Sequence, residues 1–397
     1  MPESNTAQLA HKVRCHVKFE VNKDVFSEAV SFAVKLLPQR TTLPILSGVL
    51  VAAEGSSVTI SSFDYEVSAR TRVDANVETA GTVLVSGRLL AEIASRLPHE
   101  SVVCELSATA VSVTSGSAKF SLATMPVEEY PNLPDVEGVT GVVSSEDFAM
   151  AVSQVAPAAS RDDVTPVITG VLLDISSSSL VMMATDRYRV AARELGWKAE
   201  GVSEEGLTAL VPSRTLAEIG KTFAHAGEIT VTINTGGERE LVAFGSADRT
   251  VTTLLIKGSF PPVTKLFPAE TPDYAVVSTA DLIEATRRVA LVLEREAPLR
   301  YSFTGDGVAL EALGSEQAQA SETIDGHLVG NECVVSLKPQ FLIDGLSATH
   351  SEFVRIAFTS TDNPNKPGPV LITAQKSQDG SDSDAYRYLL QPNLLMR

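Results

Sequence analysis

The feature that most constrains this chain is its internal repetition. Leu90, Leu216 and Leu342 follow one another at the same spacing of 126 residues, each inside a helix-like segment: VSGRLLAEIASRL (85–97), VPSRTLAEIGKTF (211–223) and LKPQFLIDGLSAT (337–349). A first helix precedes each of these, at 22–37, 145–160 and 279–296. In NKDVFSEAVSFAVKLL the apolar positions Val25, Phe26, Ala29, Val30, Ala33, Val34 and Leu37 form one stripe at a 3.6-residue period, which suits a helix and no strand. Ser144 with Asp147, and Ser278 with Asp281, give capping-box starts to the other two.

Turn-rich links after Arg40, Arg161 and Arg295 run into β-branched segments, and the stretches 101–122 and 228–246 alternate apolar and polar residues as hairpins do. Similar proline-bearing exits, TMPVEEYPNLPD (124–135) and SFPPVTKLFPAETPD (259–273), read as linkers. The pattern predicts three α+β domains, 17–136, 137–270 and 271–397, each with two helices and a strand-rich sheet, behind an N-terminal extension 1–16.

Several classes of function fall away. A balance of 32 basic against 49 acidic residues, net −17, argues against nucleic acid if the charge is spread evenly, and one Trp with 6% aromatics leaves little for base stacking. Cys15, Cys104 and Cys333 are an odd, scattered set that fits a reducing compartment better than a disulfide framework or a zinc site. With no apolar run near ~18 residues and no signal-like start, the chain is expected to be cytoplasmic and unanchored. The six histidines form no HExxH pair, there is no GxSxG elbow, and Gly236–Gly237 and Gly305–Gly307 sit in sequences that suit hairpin turns better than phosphate loops. No catalytic site, metal or cofactor is expected.

Four local motifs then carry a resemblance: RTTLPILSGVL (40–50), ATDRYRVAARE (184–194), SFPPVTKLFP (259–268) and the terminal YLLQP (388–392), with FDYEVSAR (63–70) standing in the first repeat where ATDRYRVA stands in the second. Together with the triplication they make the chain resemble the bacterial DNA polymerase III beta subunit, the beta sliding clamp, of actinobacterial type. The resemblance implies three tandem copies of a clamp (processivity-fold) domain, with helices lining a ring interior and β-sheets outside. It implies a head-to-tail homodimer around duplex DNA that tethers the polymerase III alpha subunit, the clamp loader and other proteins carrying clamp-binding motifs. A ring also reconciles the charge, since positive potential is needed only in the hole. The implied DNA-facing residues are Arg40, Arg88 and Arg214, with Lys23, Lys35, Arg96, Lys221, Arg287 and Arg288 as further candidates.

The resemblance also implies an apolar groove for partner peptides between the second and third domains, built from Ile168, Thr185, Arg187, Tyr188, Arg189, Val190, Pro261, Leu266, Leu389, Leu390 and Pro392, with the two arginines at its rim. By itself, ATDRYRV reads as an amphipathic strand whose arginines face water. The chain departs from the family at its end, where Gln391 and Asn393 replace apolar pocket residues. That departure suggests a specialised second copy whose altered pocket confers resistance to a clamp-directed antibiotic. The alternatives are a protein-interaction scaffold that never touches DNA, or an unrecognised enzyme.

Overall fold

The computed structural model describes residues 17–37, 41–107, 109–200, 202, 206–236, 239–294, 297–312, 318–359 and 367–393. The extension 1–16 with its Cys15, Arg40, Arg295, Gly237 and the tail residues Leu394 and Leu395 lie outside these.

Six helices stand two to a repeat: α1 Lys23–Lys35 and α2 Gly87–Ala94, α3 Ser145–Val155 and α4 Ser213–Phe223, α5 Thr279–Val289 and α6 Pro339–Ala348. The first helix of each pair starts on a side-chain cap. The Asn22 Oδ1 accepts from the N–H groups of Asp24 and Val25 at 2.9 and 3.3 Å, and Ser144 and Ser278 accept from Asp147 and Asp281 at 3.4 Å each. Helix α3 gives way to a single 3-10 turn at Ala156–Ala158, where Pro157 cannot continue the α-helical bonding. The buried stripe of α1 is Phe26, Ala29, Val30, Phe32 and Ala33; Val25 is 42% exposed and falls off it. Leu90, Leu216 and Leu342 are 2%, 0% and 1% exposed, so the repeat spacing marks one core position three times. Each such burial stabilises by roughly 1.5–3 kcal/mol.

The chain forms two compact units, one of residues up to Val136 with Ala243–Leu254, the other of Glu137–Val242 with Leu255 onward. In the first, α1 and α2 cover a core fed by the strands Gly48–Glu54, Ser57–Phe63 and Gly81–Ser86, and the stretch expected to form hairpins is three antiparallel strands, Ser101–Ser107, Ala110–Ser115 and Ala118–Met125. In the second, a nine-stranded sheet runs from Leu207–Pro212 through Arg189–Gly196 and Asp382–Leu390 to His327–Val329. A four-stranded sheet has the order Ala320–Ile324, Gly307–Ala312, Leu299–Thr304, Cys333–Leu337. The tight turn between its two middle strands carries Gly307 at φ 122°, a conformation open to glycine, as the turn reading requires.

One rule of strand pairing recurs. The last strand of the second repeat, Arg249–Leu254, lies antiparallel to Val67–Asp74 of the first, and the last strand of the third, Asp382–Leu390, lies in the same way on Arg189–Gly196 of the second. The bonds that end the two ladders correspond: Leu254 N–H to the Glu66 carbonyl at 2.9 Å, Gln391 N–H to the Tyr188 carbonyl at 2.8 Å. Two strands stand open at the positions this rule would fill. Ala320–Ile324 ends its sheet, and Ala118–Met125, paired along its length with Ala110–Ser115, has partners on its other side only at Thr124 and Met125.

Burial pushes the Cys104 thiol up to about 12 and, with Asp273 nearby, the Cys333 thiol up to about 11, so neither is a reactive thiolate at neutral pH. No helix among the described residues is long and apolar enough to cross a membrane.

Candidate functional site

The turn that enters the Arg189–Gly196 strand is held by its own side chains. The Asp186 Oδ1 accepts from the N–H groups of Tyr188 and Arg189 at 3.1 Å each, while the Thr185 hydroxyl donates to the Arg189 carbonyl at 2.7 Å and accepts from the Arg187 N–H at 3.2 Å. Arg187 is left-handed, with φ 79°. That conformation costs about 1 kcal/mol or more for a residue with a Cβ and interrupts the alternation of a strand. Arg187 and Tyr188 therefore stay at the surface, Arg187 donating to the Thr165 hydroxyl, and Arg189 turns inward.

Arg189 is neither at a groove's rim, as the resemblance implies, nor facing water, as the motif alone suggests. Its side chain is 8% exposed and its guanidinium meets acceptors from several segments: Asp186 Oδ2 at 2.9 Å, Asp344 Oδ2 at 2.6 Å, the Tyr388 hydroxyl at 3.2 Å and the Pro157 carbonyl at 2.8 Å. It also lies 4.3 Å from the centre of the Phe341 ring. The Tyr388 hydroxyl donates onward to the Phe341 carbonyl at 2.8 Å. Its ring packs so closely on α6 that a Cβ at Gly345 would come within 2.5 Å of it. Burial works against the charge on Arg189, yet its partners hold the guanidinium above its ordinary pKa. Tyr388 is itself raised by burial and stays neutral, so it contributes as a hydrogen-bond acceptor, while Asp344 and Asp186 supply the charge.

Beside this network is a cavity of about 450 Å³. Ile168, Thr165 and Arg161 line one side, Arg187, Tyr188 and Arg189 another, and Gln340, Phe341 and Asp344 of α6 a third. Tyr188, 57% exposed, stands 6.2 Å from Phe341 ring to ring, and the Lys338 Nζ sits 5.4 and 5.3 Å from the two ring centres. An aromatic pair, an aliphatic wall and a few fixed polar groups suit the side chains of a short extended peptide. The α6 residues were not singled out by sequence reasoning. Their one signal is that Gln340, Phe341 and Asp344 share a helix face, which matters only once the helix is known to pack beside this turn.

The other expected groove residues divide across the sheet. Val190 and Leu389, directly opposite each other, join Met183, Ala192, Val263, Ala357 and Leu371 in a separate apolar cluster, and buried Thr185 pairs with Val190 on that face. The Pro261 carbonyl accepts from Val263 N–H at 2.7 Å, and Leu266 is 54% exposed. Leu390 is buried opposite Arg189. Gln391 is exposed, Pro392 is buried, and the Asn393 N–H reaches the Ser336 carbonyl at 2.8 Å. The tail is thus seated as far as Asn393, with the Gln391 amide in water.

Apart from Arg40, which is outside the described residues, the basic candidates lie on or beside the helix pairs. Arg214 and Lys221 of α4, with Arg161, edge a groove of about 760 Å³ between α3 and α4 floored by small side chains such as Ala149, Ala217 and Gly220. Arg88, Lys35 and Arg96 are exposed around α1 and α2. Several others already hold carboxylates: Lys23 with Asp24 at 3.5 Å, Lys221 with Glu218 at 2.8 Å and Arg287 with Glu284 at 2.6 Å. Arg288 grips both oxygens of Glu322, at 3.0 and 2.5 Å, which raises the arginine and lowers the carboxyl. Among the described residues no group of three or more His, Cys, Asp or Glu side chains is placed to hold a metal ion.

Three family models match the chain in tandem: the N-terminal domain of the DNA polymerase III beta subunit over residues 17–134, its central domain over 142–262 and its C-terminal domain over 264–379. The chain is 43% identical over 377 residues to the beta sliding clamp of Streptomyces coelicolor, spanning 95% of this chain and 99% of that one. It is 39% identical over 376 residues to the beta sliding clamp homolog GriR of Streptomyces muensis, again across 95% and 99%. A solved DnaN sliding clamp from Pseudomonas aeruginosa, bound to griselimycin, shares the fold with a TM-score of 0.85 at 22% identity over 96% of this chain and 100% of that chain. With the three domain models met in order and such a relative matched along nearly its whole length, the chain belongs to the DNA polymerase III beta subunit family, the beta sliding clamps.

Proposed function

We infer that the chain acts in the cytoplasm as a DNA sliding clamp: a ring-shaped homodimer that encircles duplex DNA, reads no sequence, and tethers the replicative polymerase and other partners, the clamp loader included. The family is a processivity factor with no catalytic activity of its own. Domains 17–136, 137–270 and 271–397 supply three clamp units per subunit, with helices toward the hole.

The observation that carries this reading is that two open strand edges occupy the two halves of the recurring junction. Each internal domain junction is made by the last strand of one repeat on the Val67–Asp74 position of the repeat before it. The third repeat's counterpart of that position, Ala320–Ile324, is open, and so is most of the first repeat's last strand, Ala118–Met125. Exposed complementary edges seek partners, and two copies joined head to tail satisfy both edges at two equivalent junctions, which closes the assembly. Inside it, Arg40, Arg88 and Arg214, with Lys23, Lys35, Arg96, Lys221, Arg287 and Arg288, make loose phosphate contacts that permit sliding. Protein loaded on nicked circular DNA should stay bound and escape when the circle is linearised; equal retention on both forms would mean ordinary binding.

The cavity under Tyr188 and the apolar cluster around Val190 and Leu389 together serve as the partner-peptide pocket. A second reading, that this pocket has changed so as to resist a clamp-directed antibiotic, is favoured by Gln391 and Asn393 at the seated tail. It is consistent with the likeness to GriR, and griselimycin, found bound to the Pseudomonas clamp, is the natural probe.

A further inference from the structure

We propose that Asp344 is a positioning residue of the partner pocket: it holds the Arg189 guanidinium inward, so that the arginine props Phe341 as the pocket's aromatic wall and is not offered to the bound peptide. The inference rests on reading this cavity as the peptide site. Arg189 comes from the second repeat and Asp344 from the third, so the ion pair at 2.6 Å also fixes where α6 stands against the turn of residues 185–189. Asp344 is itself oriented, since its other oxygen accepts from the Gln340 amide at 2.7 Å. With Asp186, Pro157 and Tyr388 as its remaining partners, the guanidinium has little donor capacity left for a ligand. Its flat face lies over Phe341, whose ring Lys338 approaches as well. A wall held by cations in this way cannot follow a peptide that does not fit it, which is what gives a preformed pocket its selectivity.

Asp344→Asn keeps the shape and removes the charge. It leaves Arg189 with a single carboxylate and frees it to swing toward the cavity. The test uses the full-length homodimer and a fluorescein-labelled family-consensus clamp-binding peptide. Tyr188→Ala, which strips the exposed wall, should abolish most binding; if it does not, the peptide lies elsewhere and the inference falls together with the reading beneath it. Given that loss, Asp344→Asn should weaken the peptide about 10-fold, Asp344→Glu should recover to within about 3-fold of wild type, and Arg189→Met combined with Asp344→Asn should be no weaker than the worse single variant. Gln340→Ala, which removes the hydrogen bond orienting the Asp344 carboxylate and trims one wall of the cavity, should cost about 2–3-fold with unfolding unchanged. Wild-type affinity for Asp344→Asn, or losses that multiply in the double variant, would overturn the positioning role while leaving the peptide site in place.

Discussion

Tyr65 and Arg187 occupy the same left-handed turn in successive repeats, at φ 76° and 79°, and each follows an aspartate that ties the turn. Asp64 accepts from the N–H groups of Glu66 and Val67 at 2.9 and 2.7 Å, as Asp186 does from Tyr188 and Arg189. Neither turn uses glycine, so in both the aspartate has to outweigh the backbone strain. The aspartate of the second turn does more, because its other oxygen binds the Arg189 guanidinium at 2.9 Å.

The two aspartates should therefore differ in what they stabilise. Asp64→Ala forfeits turn bonds worth about 1–2 kcal/mol. Asp186→Ala also takes a carboxylate from a buried arginine, where the loss of one partner costs roughly 3–5 kcal/mol, here reduced because Asp344 remains. Urea unfolding of the two variants should show Asp186→Ala as clearly the less stable; equal midpoints would mean that the Arg189 network contributes nothing to stability.

The subunit junction can be tested at the level of single residues. In the internal copy of the junction Val251 stands opposite Ala69 and Thr250 opposite Arg70. Transferred by the repeat, that register puts Phe120 opposite Ala320 and Lys119 opposite Ser321, with Lys119 and Ser321 both exposed. Lys119→Cys with Ser321→Cys should form an intersubunit disulfide under mild oxidation, seen as a non-reducing band at twice the 42.1 kDa chain mass. Lys119→Cys with Thr323→Cys, two residues out of register, should not.

What the sequence revealed of this fold follows the range over which each signal acts. The helices and the Leu90, Leu216 and Leu342 core positions were legible because a 3.6-residue period and a capping serine are local. The exchange of last strands between repeats was not, since alternation in RTVTTL or YRYLL tells which face is buried and says nothing of which strand lies alongside. The misreading of Arg189 has the same origin. Counting by twos puts Arg187 and Arg189 on one wet face, and the left-handed backbone at Arg187 breaks that count. Phe341 and Asp344 escaped notice because they enter the site from a helix more than 150 residues away in the chain.

Arg88 and Arg214 stand at the same place in the first turn of α2 and α4, so the repeat presents one cation twice over. Replacing both by alanine should lower DNA retention for all sequences alike and flatten the dependence of log K on log salt by about 0.9 for each phosphate no longer neutralised. Arg288→Ala should do less than Arg214→Ala alone, because the Arg288 guanidinium is engaged by both oxygens of Glu322. A drop confined to particular DNA sequences would contradict loose, backbone-only contact.

On the proposed pocket reading, the tail sets how peptides and inhibitors bind. Because Gln391 is bonded through its backbone to Tyr188, and Asn393 to Ser336, the chain cannot swing aside over these residues without breaking both ladder bonds. The exposed Gln391 amide keeps its hydration, so the substitution costs the protein itself little. What is missing is apolar surface for a ligand to cover, and burying a side chain of that kind is worth ~1.5–3 kcal/mol. At ~1.4 kcal/mol per decade, the Gln391→Met, Asn393→Val double variant should bind a family-consensus peptide, and griselimycin, roughly 10–100-fold more tightly than wild type. Calorimetry of both ligands against both proteins reads this directly. Indistinguishable affinities would sink the altered-pocket reading, and a gain for the peptide without one for griselimycin would limit it to partner choice.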